Sequence, residues 1–371
     1  MPKESILTTT LSRLAHIPFA FSEKRPFTPP KKALILKPCC VSQAMLTTPL
    51  LAALSSQYPA ARFDWAISDW ARPVIIGNPR LTEIISTGAG GMDGLSWRGL
   101  STLAKRLERE QYDTVFIPSR SSLLSLLAWM AHIPQRVGLQ VDGRGFAHTH
   151  AVAPAPDVMQ ETAVYLSLAT AASVSDEAMA AAKMEFYPPD SARTAVTERL
   201  IDDVDWLGGR PLFIIHPGGG HNPIRTDRRK QWPMERFVRL INGLSKAYNA
   251  QILLVGDADD KPLVGKIASL TSVPAADWSG RMDLGEIGAL SEVADLYIGH
   301  DTGPTHVATA VGCPVLAIFG PSDPRISQPY TPHPERLRVL AQENRRAPFA
   351  WDDSISIEAA LQAIVELQAV A

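Results

Sequence analysis

The chain has little cysteine, no surplus of either charge, no long apolar run, and no Gly-x-Gly-x-x-Gly after its first predicted strand. Each absence excludes something. Three cysteines, Cys39, Cys40 and Cys313, are too few for a disulfide framework. Their spacing fits neither a zinc site nor a redox Cys-x-x-Cys, so a reducing cytoplasm is the simplest setting. The 36 Lys+Arg against 38 Asp+Glu leave no basic surplus, which argues against a nucleic-acid partner. Leu123 to Ile133, the longest uncharged apolar stretch, falls far short of the ~20 residues of a membrane span, and only a peripheral membrane association stays open. Ile17 to Phe21 is apolar but short and holds Pro18, unlike a secretory signal. The first strand leads into Lys37-Pro38-Cys39-Cys40-Val41-Ser42-Gln43, which counts against a dinucleotide-binding oxidoreductase.

What is present is enough apolar residue for full cores. The 371 residues, 46% hydrophobic and 20% charged, predict two domains at ~150 residues each. Residues 1–30, with Pro26, Pro29 and Pro30, read as an irregular extension. Ala33 to Lys37, Arg62 to Ile67, Leu81 to Ile85 and Asp113 to Ile117 read as strands alternating with helices near Thr47, over Leu100 to Glu110 and over Ser121 to His132. Thr47 and Pro49 are placed to start the first of these helices. The rhythm weakens after Pro154 and restarts past the linker Tyr187 to Asp190. It then gives strands at Pro211 to His216, Gln251 to Val255, Leu296 to Ile298 and Pro314 to Phe319, and a terminal helix from Ile355. That pattern predicts an α/β chain of two doubly wound domains, 31–188 and 189–371, facing a cleft.

Three segments carry candidate chemistry. Asp301, Thr302 and Gly303 lie between a strand and a helix, where backbone N–H groups and the Thr302 and Thr305 hydroxyls suit an anionic oxygen. His306 lies one turn further. The competing reading makes Asp301 and Thr302 helix caps and His306 a core histidine. Gly218 to Gly220, followed by Arg225, Thr226, Arg228, Arg229 and Lys230, suit a diphosphate, or form a solvated basic loop. His148 and His150 are strand-spaced without a third metal ligand, and read as surface or acceptor-facing. Arg120, Arg136 and Arg144 read as solvated or as contacts for an anionic acceptor, and Trp65 and Trp70 as packing residues.

The Lys230-x-Trp232-Pro233 element, the Asp301-Thr302-Gly303-x-x-His306 element and Phe319-Gly320-Pro321-Ser322-Asp323, in this order and spacing, resemble glycosyltransferase family 9. These are the ADP-heptose:lipopolysaccharide heptosyltransferases. Leu34 to Lys37, Thr47 to Leu50 and Tyr58 to Trp65 extend the resemblance into the first domain, so that it covers about residues 32 to 345. It implies a GT-B fold of two Rossmann-like domains, with a nucleotide-sugar held mainly by the second and a glycan or glycolipid acceptor as the other partner. By the same resemblance, Asp301, Thr302 and Gly303 would bind the donor diphosphate and sugar, with His306 supporting their loop and Lys230 neutralising phosphate. Met282 would touch the adenine, Asp259 (or Asp257 or Asp260) the ribose, and Lys37 would lie beside acceptor and donor. No cofactor and no metal is implied. Where the family's first loop ends in Gly-Asp, its presumed general base, this chain has Ser42-Gln43. A glutamine amide cannot take a proton at neutral pH. The resemblance therefore implies an inverting sugar transfer in which another group, Asp64 or Asp69 being nearest in sequence, serves as base, or one relying on donor activation. The alternative is a catalytically silent nucleotide-sugar-binding protein.

Overall fold

The structure is a computed structural model and describes residues 26–90, 96–220, 222–224, 226–344, 347–351 and 354–369. Most of the expected N-terminal extension and Arg225 lie outside these residues. The chain divides into two compact units. One runs to Arg72 and resumes over Asn78–Lys183; the other comprises Pro73–Gly77 and everything from Met184. The expected boundary was five residues later. Met184 to Pro189 go with the second unit because Phe186 and Pro188 pack onto Gly288, and Pro189 onto Gly285, of the helix Leu284–Val293.

Each unit is built on one six-stranded sheet. The first comprises β1 (Lys32–Leu36), β2 (Arg62–Ile67), β3 (Glu83–Ser86), β4 (Thr114–Ile117), β5 (Gln135–Leu139) and β6 (His150–Val152), in the order β3-β2-β1-β4-β5-β6. The second comprises β7 (Leu212–Ile215), β8 (Gln251–Leu254), β9 (Ala276–Asp277), β10 (Leu296–His300), β11 (Val315–Phe319) and β12 (Leu337–Ala341), in the order β12-β11-β10-β7-β8-β9. Every pairing among the described strands is parallel. Both orders are the doubly wound one, and both reverse direction once, between β1 and β4 and between β7 and β10. The connections leave a sheet in opposite directions at that point, opening a crevice past the strand ends. The loops after β1, β4, β7 and β10 therefore decide what each unit can bind.

The central strands β1, β4, β7 and β11 are largely apolar because helices cover both sheet faces. Alternation along β7 shows this: Phe213 and Ile215 pack with Phe237, Leu240 and Ile364 on one face, while Leu212 and Ile214 pack with Val196, Leu200 and Leu290 on the other. The helix Trp97–Arg109 turns Leu100, Leu103, Ala104 and Leu107 inward at helical spacing and leaves Arg98, Lys105 and Arg109 exposed. It starts where Ser96 Oγ accepts from the Gly99 N–H at 3.2 Å. One expected cap is different: Thr47 makes no side-chain cap, because its hydroxyl donates to the Gln43 carbonyl at 2.8 Å and so ties the Gln43 loop to the helix Thr48–Gln57.

Candidate functional site

The loop after β7 runs His216-Pro217-Gly218-Gly219-Gly220 and folds tightly against its neighbours. Gly219 and Gly220 have φ of +90° and +79°, where side chains are strained. A Cβ on Gly218 would stand 2.0 Å from the Asp260 carboxyl carbon, and one on Gly220 2.5 Å from the Asp227 carbonyl. The clamp is Asp260, whose carboxylate accepts from the Gly219 N–H at 3.0 Å and the Asp257 N–H at 3.2 Å. Burial favours its neutral form, but His216, with Nε2 at 3.5 Å, and the two backbone donors outweigh burial and hold its pKa below the usual carboxylate value. His216 is fixed in turn by Tyr297, Oη to Nδ1 at 3.0 Å. Gly218→Ala should therefore displace Asp260 and lower stability by roughly 1–3 kcal/mol, the usual range for an overpacked site. Thermal melting checks this, and an unchanged melting temperature contradicts the clamp.

At the end of β10, His300 joins two loops. Its Nδ1 lies 2.9 Å from the Gly218 carbonyl and its Nε2 2.8 Å from the Trp232 N–H. A carbonyl can only accept and an N–H only donate, so Nδ1 carries the proton and Nε2 does not. Burial keeps this ring neutral and pushes its pKa down to about 4. Lys230, in the segment His300 steadies, donates to Asp301 Oδ2 at 2.6 Å and to the Asp301 carbonyl at 3.0 Å. Burial opposes ionisation of Asp301, but Lys230 prevails and the pKa stays below the usual range. Gly320 lets the Arg229–Lys230 backbone pass closely: a Cβ there would lie 2.9 Å from the Arg229 carbonyl.

The helix Gly303–Ala310 begins just beyond. Thr302 occupies its N-cap position without a side-chain cap, so its hydroxyl is not spent as the competing reading required. Thr305 is different: its hydroxyl donates to the His300 carbonyl and so serves the strand end, not an anionic ligand. His306 is fully buried, and neither ring nitrogen has a hydrogen-bond partner among the described residues. Burial holds it neutral, with a pKa of about 4, against the pull of Asp301. A buried neutral imidazole keeps one donor and one acceptor unspent.

Beside these loops is a pocket of about 310 Å³ lined by Gly219, Arg228, Gln231, Asp259, Asp260, Pro262 and Leu263. Of the three aspartates expected near a ribose, Asp257 caps its own turn, accepting from the Asp259 and Asp260 N–H groups at 2.8 and 3.1 Å. Asp260 is the clamp, which leaves Asp259 exposed on the pocket wall. Met282 is half-buried against the second unit's core, one residue before the Asp283–Glu286 capping box. Thr226 is exposed between the glycine loop and Lys230. Arg229 pairs with Asp227 at 2.8 Å.

In the first unit Lys37, one residue past β1, is almost wholly buried, its Nζ donating to the Pro118 carbonyl and to Tyr165 Oη, both at 2.9 Å. Gln43 is half-buried in the helix Val41–Met45, which follows a loop where Cys39 and Cys40 are bonded to each other. Asp64 is fully buried, accepting from Tyr112 Oη at 2.8 Å and the Glu83 N–H at 3.0 Å. It is occupied in the sheet and unavailable as a base. Asp69 is exposed past the end of β2. Arg120 pairs with Glu161 at 3.2 Å and Arg144 with Asp142 at 3.4 Å. Arg136 acts as a strut, donating to the Ile133 and Ala147 carbonyls, both at 2.6 Å. His148 is not at the surface: it fills the space left by Gly138 and Gly145, where a Cβ would lie 2.3 and 2.4 Å from its ring. His150 Nδ1 lies 3.0 Å from Thr149 Oγ1. Trp65 is buried packing whose Nε1 donates to the Lys37 carbonyl at 3.2 Å, and Trp70 is half-buried. Among the described residues no group of three or more His, Cys, Asp or Glu is placed to hold a metal ion, and no helix is long and apolar enough to cross a membrane.

The profile of glycosyltransferase family 9 (heptosyltransferase) matches residues 100–350. The chain belongs to glycosyltransferase family 9. Lipopolysaccharide heptosyltransferase 3 of Escherichia coli K12 is 26% identical over 299 residues, covering 77% of this chain and 82% of that protein. Lipopolysaccharide heptosyltransferase 2 of Salmonella typhimurium LT2 is 24% identical over 315 residues, covering 83% and 88%. Among solved structures, a family 9 glycosyl transferase from Veillonella parvula superposes with a TM-score of 0.78 at 20% identity, covering 92% of this chain and 98% of that one. The ADP-heptose lipopolysaccharide heptosyltransferase II of E. coli gives 0.73 at 20%, covering 91% and 99%. The two doubly wound units are thus the GT-B fold of a glycosyltransferase.

Within this family 9 chain, sequence reasoning missed His300, although it stands inside the Gly299 to His306 motif; its partner Trp232 lies 68 positions away, and nothing local shows the contact. Tyr165 and Glu161 were missed too. They lie four residues apart on the helix Glu161–Ala171, and nothing local shows that this face meets the end of β1.

Proposed function

We propose that this chain is an inverting glycosyltransferase that moves heptose or a related sugar from a nucleoside-diphosphate donor, ADP-heptose first, to a glycan or lipopolysaccharide-type acceptor on the cytoplasmic side. One observation carries the reading: at the β7/β10 reversal, Lys230, the N-terminus of the helix Gly303–Ala310 and the unpartnered His306 converge beside the glycine loop. As the anomeric carbon–oxygen bond breaks, negative charge gathers on the diphosphate. A cation, a helix N-terminus and a neutral imidazole N–H stabilise that charge more than the bound ground state. Asp301 acts by holding Lys230, Thr302 and Gly303 offer a hydroxyl and open backbone, and Thr226 flanks the same loop. Asp259 can accept from ribose hydroxyls and Met282 can face the base. The likeness to the ADP-heptose lipopolysaccharide heptosyltransferase II of E. coli, and to a solved E. coli heptosyltransferase with ADP at a TM-score of 0.67, supports the adenine nucleotide.

Gln43 favours a second reading, a nucleotide-sugar-binding protein that no longer transfers, because a carboxamide stands where the resemblance requires a base. A thermal-shift screen of ADP-, GDP-, UDP- and dTDP-sugars separates the outcomes. A ligand at a hundred times its Kd should add about 2.7 kcal/mol, and ADP-sugars should be the ones that do so. No shift with any donor would remove the nucleotide site; a shift without transfer to core glycolipid would leave the silent protein.

A further inference from the structure

We propose that the amine of Lys37 is the base that takes the acceptor proton in this chain, with Tyr165 and Glu161 as the positioning residues that set its orientation and charge. The proposal rests on the transfer reading above. It begins from the first unit's own reversal point, between β1 and β4, where ligands of open α/β sheets bind. Lys37 stands one residue past β1 and Pro118 one past β4, and the Lys37 Nζ links Pro118 to Tyr165 of the helix Glu161–Ala171.

Four side chains form one line there. Lys37 Nζ donates to Tyr165 Oη, Tyr165 Oη donates to Glu161 Oε2, and Glu161 Oε1 pairs with Arg120. The same helix anchors the Gln43 segment, since Thr162 Oγ1 donates to the Leu46 carbonyl at 3.0 Å. The Lys37 nitrogen has four tetrahedral positions: one bonds its own carbon, and two carry the hydrogens given to Pro118 and Tyr165. One position remains. In the ammonium it is a third hydrogen in a nearly closed site, and in the amine it is a lone pair able to accept a hydroxyl proton. Burial favours the amine and brings the Lys37 pKa down to about 8, with Arg120 acting the same way and Glu161 opposing. That lies close to the range in which lysines serve as general bases. The carboxylates are worse placed. Both Glu161 oxygens are engaged, Asp64 is buried in the sheet, and Asp69 is an exposed carboxylate beyond β2.

The step balances. The acceptor oxygen bonds to the anomeric carbon, the bond from that carbon to the phosphate oxygen breaks, and its electron pair leaves with the nucleoside diphosphate. The acceptor proton goes to the Lys37 lone pair. The ammonium then passes a proton to Tyr165 Oη as the Tyr165 proton moves to Glu161. Glu161 releases it to water beside Arg120, whose side chain is 23% exposed.

The experiment measures transfer from ADP-heptose to a core glycolipid from pH 5 to 9, in the full-length parent and in variants. In the parent, kcat should rise with pH through about 8. Lys37→Arg keeps the charge but cannot deprotonate, and should lose transfer by roughly 10²–10⁴-fold with ADP affinity unchanged. Glu161→Gln removes both the charge that favours the ammonium and the group that receives the relayed proton, so kcat should fall and the rising limb of the remaining rate should move down by about one pH unit. This shift keeps the test decisive if Lys37→Arg folds poorly, and a purely structural role would not produce it. An active Lys37→Arg chain, a limb below pH 6, or loss of transfer in Asp69→Asn alone would overturn the assignment and leave the transferase reading standing. A parent that binds ADP-heptose and transfers nothing would overturn both.

Discussion

A Lys230→Ala chain should bind ADP at least about tenfold more weakly than its parent, equivalent to ~1.4 kcal/mol, and should be less stable by about 2 kcal/mol. The second effect follows from what is left behind. Asp301 is almost wholly buried, and Lys230, at 2.6 Å, is the largest of the influences that outweigh the burial opposing its charge. Breaking a fully buried pair from one side costs about 3–5 kcal/mol; Lys230 keeps a quarter of its side chain in water, hence the smaller figure. Asp301→Ala leaves a lysine that can turn to solvent, so its stability loss should be below about 1 kcal/mol, while ADP affinity falls because the ammonium is no longer held. The double variant should regain much of the stability that Lys230→Ala loses and none of the affinity. Urea unfolding and ADP titration calorimetry read the two quantities separately. A double variant that binds ADP like the parent would make the pair a structural feature only.

The Asp301-Thr302-Gly303 corner was readable in the sequence because a buried strand, a glycine and a helix start follow one another within a few residues. The partner of Asp301 was not, since Lys230 lies 71 positions away and the pairing depends on how β7 and β10 stand side by side. Distance also misled the reading of His148. Gly138 and Gly145 were visible, but only packing shows that the ring fills the space they leave. Thr47 was misread for a different reason: its hydroxyl had two competing acceptors, a helix start and the Gln43 carbonyl, and local rules describe only the first.

The fold divides along similar lines. β1, β7 and β11 are covered on both faces and read as continuous apolar runs. β5, β6, β9 and β12 were not recognised. Gln135–Leu139 opens with two half-buried polar residues, His150–Val152 has three residues at a sheet edge, and Leu337–Ala341 is half-buried throughout. β6, β9 and β12 are edge strands, where one side of the ladder meets no neighbour; β5 is paired on both sides, but its polar first half hides it. Their place is set by the strand they pair with.

Acidification from pH 6.5 to pH 4 should remove several kcal/mol of stability, more than any single substitution above. Burial pushes His300 and His306 down to about 4 and His148 to about 3, from an ordinary 6.5. Above pH 6.5 all three are neutral in both folded and unfolded chains and contribute no pH dependence. Below it the unfolded chain takes up protons that the folded chain refuses, so stability falls as pH falls, until the folded-state values are reached. Each histidine contributes at most about 1.4 kcal/mol per pH unit, and three together about 4. Asp260 and Asp301, whose pKa values are held below the usual carboxylate value, add their loss only near and below pH 4, which leaves this window to the histidines. Urea unfolding at pH 7.5, 6 and 5 measures the slope directly. Replacing His148 with leucine, which has nothing to protonate, should flatten the slope by about a third while His300 and His306 retain their share. Equal stability at pH 7.5 and 5 would mean that these rings meet water in the folded chain, and the neutral His306 donor to the diphosphate would fall with them.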